Sequence, residues 1–141
     1  MGFLIDTNVL SELQKGERTD VGVKSWYAQT NSNDLFLSVL VIGEIRQGIE
    51  RLRRRDAVQA ERLEIRLTDV LTMMHGRILE ISASIAQRWG HLNAGDPMPV
   101  IDGLLAATAM EYGLTLVTRN VRDVKRSGAL LLNPFSDSDI A

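Results

Sequence analysis

The sequence predicts an α/β fold, with a parallel sheet of four to five strands covered on both faces by helices. Three observations carry that prediction. Short apolar runs alternate with helix-period segments along the chain. The runs at Phe3–Ile5 and Leu35–Ser38 lack the polar alternation of a half-exposed strand, as expected for strands buried on both faces. Helix-capping residues follow them, Thr7 and Asn8 after the first run and Ser82 after the third.

Taken in order, Phe3-Leu4-Ile5 is a central strand that ends on Asp6, and Val9 to Leu13 continues as helix. Lys15-Gly16-Glu17-Arg18 breaks the pattern. Asp20 then caps a second helix bearing Val21, Val23, Trp26 and Tyr27, whose aromatics are expected in the core. The polar run from Thr30 to Asp34 is a loop before the strand Leu35–Ser38. Ile42, Ile45, Ile49 and Leu52 fall on one helical stripe, with Glu44 on its flank.

Asp56 opens a longer helix carrying Leu63, Leu67, Val70, Leu71 and Met74, closed by His75 and Gly76. It is expected to form a hairpin with the helix from Val41 to Arg53. Arg77–Ile81 is the third strand, and Ser82 caps a helix with Ile85, Ala86, Trp89 and Leu92. The segment Asn93–Pro99 is irregular. Small residues in the helix from Val100 permit close approach to a sheet, Gly113 ends it, and Asp102 sits in its first turn. Thr115–Thr118 is the fourth strand and Leu130–Leu132 an edge strand before an acidic tail.

A chain of 141 residues suits a single domain, 1–141. No apolar run approaches the roughly 20 residues of a membrane span, and the strand at Phe3–Ile5 leaves no room for a signal peptide, so a cytoplasmic location is expected. With 0 cysteines, thiolate nucleophiles, zinc–thiolate sites and disulfides are excluded. A net charge of -2 offers no general attraction for a polyanion. Locally, seven arginines face four acids between Arg46 and Arg66, either as a solvated helix face with pairs such as Glu50 with Arg54 or as a nucleic-acid surface.

Three carboxylates recur at comparable places: Asp6 past the first strand, Glu44 in the helix after the second, and Asp102 in the helix before the fourth. Right-handed crossovers bring strand ends to one sheet edge, where open α/β folds place ligands. Carboxylates gathered there resist joint ionisation unless a cation neutralises them. Oxygen-only ligation by Asp6 and Asp102 suits Mg²⁺, with Mn²⁺ possible. Each acid is otherwise a helix-start residue at a favourable dipole end. Other chemistries find no support. His75 and His91 lack metal-ligand spacing, no phosphate loop or Gly-x-Ser-x-Gly elbow exists, and Asn8 stands where an aspartyl phosphatase needs a second Asp. Trp26, Trp89 and the pair Met73-Met74 are expected in the core.

The wording around the acids is Leu4-Ile5-Asp6-Thr7-Asn8, then Gly43-Glu44-Ile45-Arg46-Gln47-Gly48, then Ile101-Asp102-Gly103-Leu104-Leu105-Ala106, followed by Thr118-Arg119-Asn120. In that order it resembles the PIN-domain ribonucleases, and most of all the VapC toxins of toxin-antitoxin pairs near their FitB-like branch. The resemblance implies a three-layer α/β/α fold and a metal-dependent endoribonuclease that hydrolyses RNA, works as a homodimer and is neutralised by a cognate antitoxin. It implies Asp6, Glu44 and Asp102 as the metal-site acids, with Asn120 at the fourth position or its charge supplied by Asp123. Thr7, Ser38 and Thr118 become hydroxyls that orient carboxylates. Arg46, Arg51, Arg53 and Arg54 become contacts to the RNA backbone. The alternative is a catalytically inactive PIN-fold module that binds nucleic acid or protein, against which the presence of all three acids speaks.

Overall fold

The computed structural model describes residues 1–136, so the expected acidic tail beyond Ser136 lies outside the described residues. Five strands form one sheet: β1 (Phe3–Ile5), β2 (Leu35–Ser38), β3 (Ile78–Leu79), β4 (Thr115–Val117) and β5 (Leu131–Leu132). Their order is β3-β2-β1-β4-β5 and every pairing is parallel. Leu4 sits opposite Phe36 on one side and Leu116 on the other, which makes β1 the central strand. A parallel strand needs a crossover, and the helices that supply the crossovers cover the faces. They are α1 (Thr7–Leu13), α2 (Val21–Gln29), α3 (Val39–Arg53), α4 (Ala57–Met73), α5 (Ala83–Leu92), α6 (Val100–Tyr112) and α7 (Val121–Val124). The result is a three-layer α/β/α sandwich.

The helix boundaries follow from capping chemistry. Asp20, Asp56 and Ser82 each accept the backbone N–H three residues on, from Val23, Gln59 and Ile85, each at 3.1 Å. The buried Ser38 hydroxyl accepts the Leu40 N–H at 3.1 Å, so α3 begins directly after β2 and carries Glu44 in its second turn. At the other ends, Gly76 and Gly113 adopt φ of 85° and 65°, left-handed values that only glycine enters without strain. No helix among the described residues is long and apolar enough to cross a membrane.

The main core joins both faces of the sheet: Leu4, Val9, Val23, Leu37, Val41, Leu105 and Val117 are wholly buried, each contributing about 2 kcal/mol through burial. Ala106, Ala107 and Ala109 let α6 lie against β1 and β4, as the small residues predicted. A second, smaller core of Ile49, Ala60 and Leu67 holds the α3–α4 hairpin together.

Several expectations need correction. The third strand is only Ile78–Leu79, because Glu80 and Ile81 leave the ladder ahead of the Ser82 cap. Trp26 packs edge-on against Phe3 with centroids 5.6 Å apart, but Tyr27 is 38% exposed and Met73 56% exposed, because both lie on the outer flank of their helices. Met74 alone of the methionine pair is core. Glu50 does not pair with Arg54 but accepts from Arg46 and Arg53, the neighbours one turn before and just under one turn after it.

Candidate active site

Asp6 follows the central strand and caps α1, so its carboxylate is positioned by both elements. It is 4% exposed. Oδ1 accepts the Thr7 N–H at 2.7 Å, and Oδ2 accepts the Thr118 hydroxyl at 2.6 Å and the Asn8 amide at 3.4 Å. The Asp6 N–H donates to the Val117 carbonyl at 2.9 Å, and that β1–β4 bond sets the end of β4 beside the acid. Thr118 Oγ1 in turn accepts the Asn120 N–H at 3.0 Å. All these donors are neutral, so Asp6 is oriented while its charge stays uncompensated.

Glu44 reaches the same edge from α3. Its Oε1 accepts the Thr7 hydroxyl at 2.6 Å, so Thr7 ties the second acid to the residue that follows the first. Asp102 enters from the first turn of α6. Burial above all, and then the negative charges of Asp6, Asp123 and Glu44 in that order, push its carboxyl up to about 6 from an ordinary 3.8. The four acids therefore share one field. Among the described residues no ion pair reaches any of them.

This donor set fits a hard divalent cation, being all oxygen and carrying negative charge without a counter-charge. As the side chains stand, no trio of carboxylates among the described residues is drawn in to ion-holding spacing.

The remaining expected site residues divide. Thr7 and Thr118 orient carboxylates, whereas Ser38 serves as the cap of α3. Asn120 is exposed and joins the site through its backbone, its side chain making no capping bond to α7. Asp123, on α7, acts on Asp102 more strongly than Glu44 does. Arg46 forms a forked pair with Glu64 at 2.7 and 2.6 Å, and Arg53 is shared among Glu50, Glu61 and Glu64. Two guanidiniums thus meet three carboxylates on the hairpin's outer face, and the neighbouring acids raise the Arg46 and Arg53 pKa values still further above neutrality. Arg51 and Arg54 are exposed. Asn8, expected only as a capping residue, also takes part in the site. Its amide bonds Asp6 and its Oδ1 accepts the Arg119 N–H at 3.2 Å, bridging β1 to β4.

Comparison with known proteins bears on this arrangement. VapC ribonuclease Y4jK of Sinorhizobium fredii is 30% identical over 140 residues, covering 94% of this chain and 97% of that protein. The crystal structure of FitAcB from Neisseria gonorrhoeae superposes with a TM-score of 0.85 at 28% identity, covering 94% of this chain and 97% of that one. A toxin-antitoxin complex from Klebsiella pneumoniae follows at a TM-score of 0.71 and 25% identity, covering 95% and 98%. The PIN domain family model matches residues 3–127, which takes in all four acids, and the chain belongs to the PIN domain family.

Proposed function

We propose that this chain is a Mg²⁺-dependent endoribonuclease, with Mn²⁺ as an alternative ion, acting in the cytoplasm as a homodimeric toxin and neutralised by a cognate antitoxin. The observation that carries the reading is the convergence of Asp6 at the end of β1, Glu44 on α3, Asp102 on α6 and Asp123 on α7, with Thr7 and Thr118 hydroxyls orienting Glu44 and Asp6. Asp6 and Asp102 would hold the ion, Glu44 would complete or extend the set, and Asp123 rather than Asn120 would supply the fourth charge. The ion, when bound, supplies a Lewis acid that stabilises negative charge on a phosphodiester and lowers the pKa of an attacking water.

The chain's own residues do the remaining work. Thr118 and Asn8 hold Asp6 Oδ2 so that Oδ1, bonded only to a backbone N–H, keeps acceptor capacity. Thr7 fixes Glu44 on one side, leaving Oε2 to align water or an ion. Asp102 gains its charge at a higher pH than an ordinary carboxylate, being half ionised at about pH 6.

An antitoxin is supported by the Klebsiella complex and by an apolar cleft of about 510 Å³ beside α1. Exposed Tyr27 and Met73 line that cleft, and a partner helix would cover them. The experiment is cleavage of a structured RNA with Mg²⁺, with EDTA, and by Asp6→Asn. Cleavage that persists in EDTA, or survives Asp6→Asn, ends the metal-nuclease reading. Intact RNA under every condition, with RNA or protein binding retained, leaves the inactive binding module. Sedimentation equilibrium tests the dimer.

A further inference from the structure

A second cleft, of about 430 Å³, begins at Thr7 and Glu44 and runs between α1 and the α3–α4 hairpin. We propose that this cleft carries the RNA strand away from the scissile phosphate, with Arg18, Arg55 and Arg66 holding its backbone. The proposal rests on the ribonuclease reading and adds the path of the substrate to it.

Charge separates this cleft from the rest of the surface. Four cationic side chains line it, Lys15, Arg18, Arg55 and Arg66, and the one acid in its wall is Glu44 at the site end. Lys15 is paired with Glu12 at 2.9 Å, so its charge is compensated. The arginines are not. Arg66 donates to the neutral Gln14 carbonyl at 3.1 Å, which fixes its direction and leaves its charge in place. Arg18 and Arg55 enter no ion pair among the described residues. By contrast Arg46 and Arg53 lie under three carboxylates and have no net charge to offer a phosphate.

The three arginines come from different elements: Arg18 from the short turn after α1, Arg55 from the α3–α4 connection and Arg66 from α4. Folding alone assembles them. Arg55 lies past the C-terminal end of α3, about 15 Å along its axis from Glu44 at 1.5 Å per residue. A polyanion whose reacting phosphate sits among the acids is repelled there and needs cations nearby to hold its flanks. The floor, with Ile45, Leu52 and Leu63, is aliphatic and offers base faces a dry surface, and Ser11, Gln14 and Gln59 add uncharged polar groups to the walls. The contacts of the three arginines to phosphates are electrostatic and carry no base information.

The test is binding of labelled single-stranded oligouridine to the full chain in EDTA, across a salt series, for wild type and Arg18→Gln/Arg55→Gln/Arg66→Gln. Each single-strand phosphate contact adds about 0.7 to the slope of log K against log salt, so the triple variant should lose about 2 from that slope and bind about a hundredfold more weakly at 0.1 M. Arg18→Gln/Arg55→Gln, which spares the Gln14 contact, should lose about 1.4 and guards against a folding defect. Arg51→Gln/Arg54→Gln should leave the slope unchanged. Wild-type binding with an unaltered slope in the triple variant overturns the proposal alone, as does a fall confined to the Arg51 and Arg54 pair. If wild type does not bind oligouridine at any salt concentration, the cleft and the ribonuclease reading fall together. If the triple variant keeps wild-type oligouridine binding but loses the binding of labelled polyglutamate that wild type shows in the same assay, the cleft holds an acidic peptide and the proposal is overturned.

Discussion

Asp102→Asn should stabilise the metal-free protein while destroying its response to metal. The Asp102 carboxyl is pushed up to about 6 from 3.8, by burial first and then by Asp6, Asp123 and Glu44, so its charged form is less favourable in the folded state than in the unfolded one. The sign follows by linkage. Below the ordinary pKa both states hold the proton and nothing is lost; between 3.8 and 6 the penalty grows, and above 6 it is complete. Sealed from water, that rise would correspond to about 3 kcal/mol. Asp102 is only half-buried, and solvent screening reduces the figure to about 1 kcal/mol. Asparagine keeps the shape and removes the charge, so in EDTA at pH 7.5 its Tm should lie about 4 °C above wild type. At pH 4.5 about a third of that gain should remain. With saturating Mg²⁺ at pH 7.5 the order should reverse, since only wild type gains from the ion. Calorimetry at the two pH values, with and without metal, reads all four numbers. A lower Tm for Asp102→Asn in EDTA at pH 7.5, or a difference that ignores pH, would refute the crowding argument.

Mg²⁺ at tenfold its Kd should stabilise wild type by about 1.4 kcal/mol, and Asp6→Asn should abolish most of that gain in the same thermal scan. Asp123→Asn should lower metal affinity and cleavage far more than Asn120→Ala, because of these two residues Asp123 is the one that carries charge towards Asp102; titration calorimetry of the two variants ranks them, and the reverse order would return the fourth role to Asn120. Gly22→Ala would drive a methyl group into the Pro134 carbonyl and the Ser136 backbone, where nothing flexible can yield. A loss of about 2 kcal/mol, roughly 8 °C in Tm, is expected, and an unchanged melting point would show that the C-terminal segment is not seated against α2.

Much of this protein was legible from local pattern. The strands around Asp6 and Ser38, the Asp20, Asp56 and Ser82 caps and the Gly113 stop all rest on chemistry within a few residues, which a linear sequence displays directly. Burial at helix flanks was less legible. Tyr27 and Met73 are apolar enough for the core, but a helix flank is buried only if another element lies over it, and none among the described residues does.

The sequence by itself determined the three-layer order of elements and the positions of Asp6, Glu44 and Asp102, because hydrophobic period and capping residues act over one turn or one strand. Which charges remain available was decided only by tertiary structure. The resemblance implied Arg46 and Arg53 as RNA contacts, but α4 brings Glu61 and Glu64 against them, whereas Arg18, outside the arginine-rich stretch, joins Arg55 and Arg66 along one cleft only on folding. Asp123 stands 117 residues from Asp6 in sequence yet shares its field. Coulomb interactions depend on distance through space, and the sheet order that sets those distances is a property of the assembled chain.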